Sequence, residues 1–135
     1  MDRMKIGTLA RQADVAIDTV RYYERQGLLP APERTESGYR SYAPGDVARL
    51  RFIRRAKTLG FTLGEIRELL ELTGRREQDM AGVKSAAIQK LADVDARIAE
   101  LQRMRGGLER LVASCPGHGP LEHCPILDAL SGDGR

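Results

Sequence analysis

The stretch "CPGHGPLEHC", residues 115 to 124, holds both cysteines and both histidines of a 135-residue chain. Thiolate sulfur and imidazole nitrogen are ligands for soft and borderline metal ions, so this one loop concentrates the chain's capacity for metal chemistry. Cys115 and Cys124, at its two ends, can grip an ion between them. Linear coordination by two thiolates suits a monovalent d¹⁰ ion such as Cu(I), Ag(I) or Au(I), whereas Zn(II) normally takes four ligands in a tetrahedron. His118 and His123 could complete a two-cysteine, two-histidine set for Zn(II). His123, adjacent to Cys124, is awkwardly placed to reach the same ion and suits a surface or supporting role. Two other chemistries use the same residues. A Cys115–Cys124 disulfide would make a thiol redox switch, and nine positions of separation permit it if the loop folds back. A cysteine nucleophile with a histidine base would need a third orienting group and a substrate cleft; the sequence offers neither, so an enzyme is not expected.

The flanking segments explain how such a loop is held. From Met80 to Ala113 there is no proline, enough for a helix of about 50 Å at 1.5 Å per residue. Pro116 and Gly117 forbid its continuation, so Cys115 marks its end. Cys124 stands before "PILDAL", a short helix with Pro125 suited to its first turn, where the positive end of the helix dipole favours a negatively charged sulfur. Along the long helix Ala87, Leu91, Val94, Ile98 and Leu101 alternate steps of four and three; Arg105 interrupts, then Leu108 and Val112 resume. This narrow seam asks for a partner helix. A second copy packed antiparallel in a two-fold dimer, as a coiled coil, supplies it most economically, since no other segment is long enough to cover it.

The first 57 residues differ in character. The formal net charge is only +3, but arginine and lysine outnumber acids here, which points to a partner carrying phosphates. In "IGTLARQA", Ile6, Leu9, Ala10 and Ala13 recur at helical spacing, and "DVAID" interrupts them with a candidate cap at Asp14 or Asp18. "TVRYYERQGLL" sets Val20 and Tyr23 on one side of a second helix that stops at Gly27. Helix, tight turn, helix is the unit whose second helix enters the major groove of DNA. "PAPERTESGYRSY" reads as an exposed two-stranded hairpin, outside the core, turning at Glu36-Ser37-Gly38. Arg34 and Arg40 near its turn can reach phosphate oxygens bidentately. A third helix starts at Pro44 and ends near Gly60, with Val47, Leu50, Phe52, Ile53, Ala56 and Leu59 inward. A fourth, "TLGEIRELLEL", opens with Thr62 and Glu65 in capping-box spacing and turns Ile66, Leu69 and Leu70 to the core. The expected order is therefore a winged helix-turn-helix DNA-binding domain (1–73), a linker (74–79), a dimerisation helix (80–113), then a metal-binding loop with a short helix and tail (114–135). The chain is too short for a large enclosed cleft. No apolar run reaches about 18 residues and no signal-peptide core precedes it, so a cytoplasmic protein with reduced thiols and no membrane partner is expected.

Taken in order, "IGTLA", "TVRYYERQGLL", "RTESGYRSY", "RLRFIRRAKTLGFTLGEIRELLEL", "ARIAELQRM" and a closing "CPIL" resemble the MerR family of bacterial transcription regulators, in its metal-sensing branch. The resemblance covers nearly the whole chain. It implies a mainly α, winged helix-turn-helix homodimer seated on a promoter whose spacer is over-long. Metal binding near the C-terminus then bends and untwists the DNA so that RNA polymerase engages both promoter elements, with part of the specificity coming from DNA shape. Carried over position by position, Thr19, Arg21 and Tyr22 on the second helix fall where such proteins contact DNA, with Tyr23 next to them; Tyr23 is equally spaced for the core. Arg34, Tyr39 and Arg40 fall on the wing, against the phosphate backbone. The resemblance also implies a third metal position, at the start of the dimerisation helix and delivered by the other protomer. Members resembling Zn(II), Cd(II), Pb(II) or Hg(II) sensors place a cysteine there, and those resembling Cu(I) sensors a small neutral residue. Met80 stands at that position, as a weak thioether ligand or a packing residue. The missing thiolate favours Cu(I), Ag(I) or Au(I) over a divalent ion.

Overall fold

Leu9, Ala10 and Ala13 stand one and three positions apart, and in the computed structural model they form the buried stripe of α1 (Ile6–Ala13). The structure describes residues 3–74 and 80–132. Helix α2 (Ile17–Arg25) buries Val20 and Tyr23, α3 (Gly45–Thr58) buries Val47, Leu50, Ile53 and Ala56, and α4 (Leu63–Thr73) buries Ile66 and Leu69. With Leu28, Leu29 and Tyr42 these side chains make one core, on which α1 packs against both α2 and α3, and α3 against α4. Burying each such aliphatic side chain stabilises the fold by about 1.5–3 kcal/mol, which is what holds four short helices that would be marginal alone.

The ends of the helices fix their directions. After α2, Gly27 (φ 76°) donates to Glu24 O and Leu28 donates to Tyr23 O; after α3, Gly60 (φ 92°) donates to Lys57 O and Phe61 to Ala56 O. Both are Schellman endings with glycine in the left-handed position, and each sends the next apolar residue back toward the core. Helix α1 ends the same way, with Asp14 in that position (φ 58°) and Val15 donating to Ala10 O. Of the two candidate caps, Asp14 is one, as the C-cap of α1, whereas Asp18 is not the N-cap of α2. Ala16 occupies that place without a side-chain bond, Asp14 terminates the preceding helix, and Asp18 lies in the first turn, where its charge complements the helix dipole. Leu59 also departs from expectation. It is 67% exposed, because the chain leaves the helix at this residue and Phe61 takes the inward position. The capping box on α4 is as expected, with Glu65 N–H donating to Thr62 Oγ1 at 3.2 Å and Thr62 N–H to Glu65 Oε1 at 2.8 Å.

The wing is an antiparallel hairpin of β1 (Glu33–Arg34) and β2 (Arg40–Ser41), with Glu33 opposite Ser41 and Arg34 opposite Arg40. Its tip is exposed, but its foot is not outside the core: Ser41 and Tyr42 are buried. Met4 pairs with Tyr42 through two backbone bonds of 2.9 and 2.8 Å, and Arg3 donates to Ser41 Oγ and O, so the segment before α1 lies along the hairpin.

Helix α5 runs from Met80 to Ser114, 35 residues, one past the expected end. The chain divides into two compact units within it, one through Ala87 and one from Ile88. Of the expected linker, residues 75–79 lie outside the described residues. In the second unit Leu91, Ile98, Leu101, Leu108 and Val112 are all exposed in the single chain. Beyond Ser114 come a loop, a single 3-10 turn at Leu121–His123, and α6 (Pro125–Leu130) with Pro125 in its first turn.

Candidate DNA interface and metal-binding loop

On the first unit a groove of about 500 Å³ is lined by Lys5, Ile6, Arg21, Glu24, Arg25 and Arg40. Four cations and one carboxylate give it the sign a nucleic-acid backbone requires. Helix α2 presents Arg21 and Tyr22 to solvent, with Thr19 half-buried beside them in its first turn. Arg21 has only a loose partner, Asp18 at 3.7 Å, and both are exposed, so the pair offers little resistance to a phosphate. Tyr23 is 7% exposed and belongs to the core, its ring 5.7 Å from that of Tyr22. Burial, and then Tyr22 beside it, push its phenol above the ordinary value, so it stays neutral.

The wing arginines are not idle. Arg34 donates to Gly38 O at 3.0 Å, bracing the turn it flanks. Arg40 pairs with Glu24 Oε2 at 2.9 Å, across from wing to α2. Each thus commits part of its guanidinium within the protein, where the sequence suggested two free forks; each keeps further N–H donors. Tyr42 also donates to Glu24, and its hydroxyl is pushed up to about 12, by burial first and by this hydrogen bond next. Tyr39 is exposed, with Lys5 Nζ 5.5 Å from its ring centroid. Sequence reasoning missed Lys5, Glu24 and Arg25. Arg25 carries a local signal, one turn beyond Arg21 on α2. Glu24 stands beside it on the same helix, but meets the wing only through the long-range contacts of Arg40 and Tyr42, and Lys5 is brought there by the long-range pairing of Met4 with Tyr42.

In the second unit, Cys115, His118, His123 and Cys124 line one depression of about 290 Å³. Cys115 follows α5, its N–H still bonded to Val112 O, and Cys124 caps α6; both thiols are free and half-buried. Gly117 (φ 83°) and Gly119 (φ 111°) make the bend between them in a conformation that side-chain-bearing residues rarely adopt. His118 Nδ1 lies 3.2 Å from Pro116 O, and His123 Nε2 lies 3.7 Å from Glu122. Among the described residues no three His, Cys, Asp or Glu side chains are gathered as a metal cluster. All four side chains line the same depression. Met80, at the start of α5, is 87% exposed.

A cationic winged helix-turn-helix followed by a long helix defines a DNA-binding regulator. The chain belongs to the MerR family: a model described as MerR HTH family regulatory protein matches residues 4–73, and one described as MerR, DNA binding matches residues 47–111. It is 42% identical over 128 residues to the mercuric resistance operon regulatory protein of Bacillus cereus, covering 95% of this chain and 97% of that one. The crystal structure of PbrR691 from Ralstonia metallidurans CH34 in complex with lead(II) superposes with a TM-score of 0.85 at 38% identity, covering 94% of this chain and 98% of that one. HiNmlR, a family member lacking the sensor domain and bound to promoter DNA, superposes with a TM-score of 0.58 at 27% identity, covering 83% and 85%. The protein is thus a transcription regulator of the MerR family, as its relatives are, and regulators of this family bind promoter DNA as homodimers. Among the described residues no helix is long and apolar enough to cross a membrane.

Proposed function

We propose that this regulator activates a metal-resistance promoter when a thiophilic ion is held by Cys115 and Cys124, with monovalent Cu(I), Ag(I) or Au(I) favoured. The observation that carries the reading is the pair of free thiols at the two ends of one loop, opening into one depression. Two soft thiol donors match the coordination of a d¹⁰ monovalent ion. Met80, where a divalent sensor of the family would hold a third thiolate, supports the same choice. Thr19, Arg21 and Tyr22 read the major groove, while Arg34, Tyr39 and Arg40 hold phosphates. The α5 seams of two copies pack as an antiparallel coiled coil, and the ion resets the dimer so that the spacer DNA is deformed and RNA polymerase engages it. The protein works in the cytoplasm, where its thiols stay reduced. Divalent sensing is the second reading, favoured by His118 and His123 lining the same depression and by the mercuric and lead(II) relatives.

A competition titration of the reduced protein with Cu(I) and Zn(II), read by X-ray absorption, separates the two. Two sulfurs near linear geometry, with Cu(I) displacing Zn(II), is the expected result. A four-ligand shell containing nitrogen would overturn the monovalent assignment and give His118 a coordinating role. On the DNA side, Arg40→Ala is expected to weaken binding across all sequences alike and to lower the salt slope by about one, the signature of a lost phosphate contact. A change confined to one base position would contradict that assignment.

A further inference from the structure

Among the cations of the α2–wing groove, one carboxylate is out of place. Glu24 faces the surface assigned to DNA, where a negative charge repels phosphate, yet its side chain is only 12% exposed and two donors converge on it. Arg40 reaches it from β2 at 2.9 Å and the Tyr42 hydroxyl reaches it from the residue after β2. Those two anchors lie 16 and 18 residues away in the chain, so the carboxylate is a bolt between the recognition helix and the wing. Arg40 keeps 42% of its side chain exposed, so the same guanidinium is both held from behind and open in front.

We propose that Glu24 is a positioning residue for DNA binding, holding the Arg40 guanidinium in the geometry in which it meets a phosphate. The inference rests on the reading of Arg40 as a phosphate contact. Its physical content is a difference in sign. If Glu24 acted only through its charge, neutralising it would tighten DNA binding. As a positioning residue, its loss frees a long side chain that must then be ordered on the duplex, at a cost of about three- to tenfold in affinity.

The test is a double-mutant cycle on the full-length protein, binding a fixed mixed-sequence DNA duplex over a range of salt concentrations. Glu24→Gln preserves shape but offers one oxygen where two donors meet. It is expected to weaken binding about three- to tenfold, to lower the salt slope toward that of Arg40→Ala, and to cost nothing further in an Arg40→Ala background. Tyr42→Phe removes one tie and leaves the ion pair. It should give a smaller loss that also vanishes in the Arg40→Ala background, and it carries the test should Glu24→Gln impair folding. If Arg40→Ala weakens binding but Glu24→Gln tightens it, or its loss persists undiminished without Arg40, the positioning role is wrong and the phosphate contact stands. If Arg40→Ala changes neither affinity nor salt slope, the phosphate reading fails and the positioning role falls with it.

Discussion

Cys115→Ser and Cys124→Ser are each expected to abolish metal-dependent transcription while leaving promoter affinity close to that of the parent. A serine hydroxyl matches the thiol in shape but is a hard, neutral donor that cannot replace a thiolate toward a soft ion. Changes in the groups that merely support a ligand cost about 10–100-fold in metal affinity, and removing one of two ligands exceeds that. The mutated atoms sit in the second compact unit, whereas the cationic groove is built within the first, so the apo protein's grip on DNA has no reason to change. Reporter transcription with and without added metal, alongside promoter binding by the purified variants, gives both quantities. A double cysteine variant that still responds to metal would remove this loop from the mechanism.

The second large effect concerns the seam on α5. Leu101 and Leu108 are each 60% exposed in the single chain, more apolar surface than a helix normally leaves in water without a partner. Leu101→Asp or Leu108→Asp places a charge on the seam along which the second copy is proposed to pack. Neither residue supports the fold of its own chain, so helix content should persist while sedimentation reports the mass of one chain. Promoter affinity should then fall on the order of 10²-fold or more, because two linked helix-turn-helix units bind far more tightly than either alone. Variants that stay dimeric would show that the copies meet on another surface.

What could be read directly from the chain was whatever is decided within a turn or two of helix. The capping box at Thr62 and Glu65, the stop at Gly27 and the Pro125 helix start each depend on residues three or four apart, and each is found as expected. Periodicity misplaced Leu59 because it assumes the helix continues, whereas the left-handed Gly60 turns the chain and hands the inward position to Phe61. The spacing of cysteines and histidines marked the loop, but not that its four side chains face one depression. The groove was least legible. Lys5 is brought to it by the pairing of Met4 with Tyr42, 38 positions apart, and Glu24 meets Arg40 across 16, and no local pattern announces such meetings.

Three arginines that hold the ends of α1 and α2 have a consequence for how such a regulator can diversify. Arg51 donates to the carbonyl of Gln12, Arg49 to that of Leu28, and Arg67 to that of Gln26. All three grip main-chain oxygen, which every amino acid possesses, at the ends of α1 and α2. Substitution of the outward-facing side chains therefore leaves these grips unchanged. A lineage can rewrite the exposed face of α2 while the orientation of that helix is inherited unchanged.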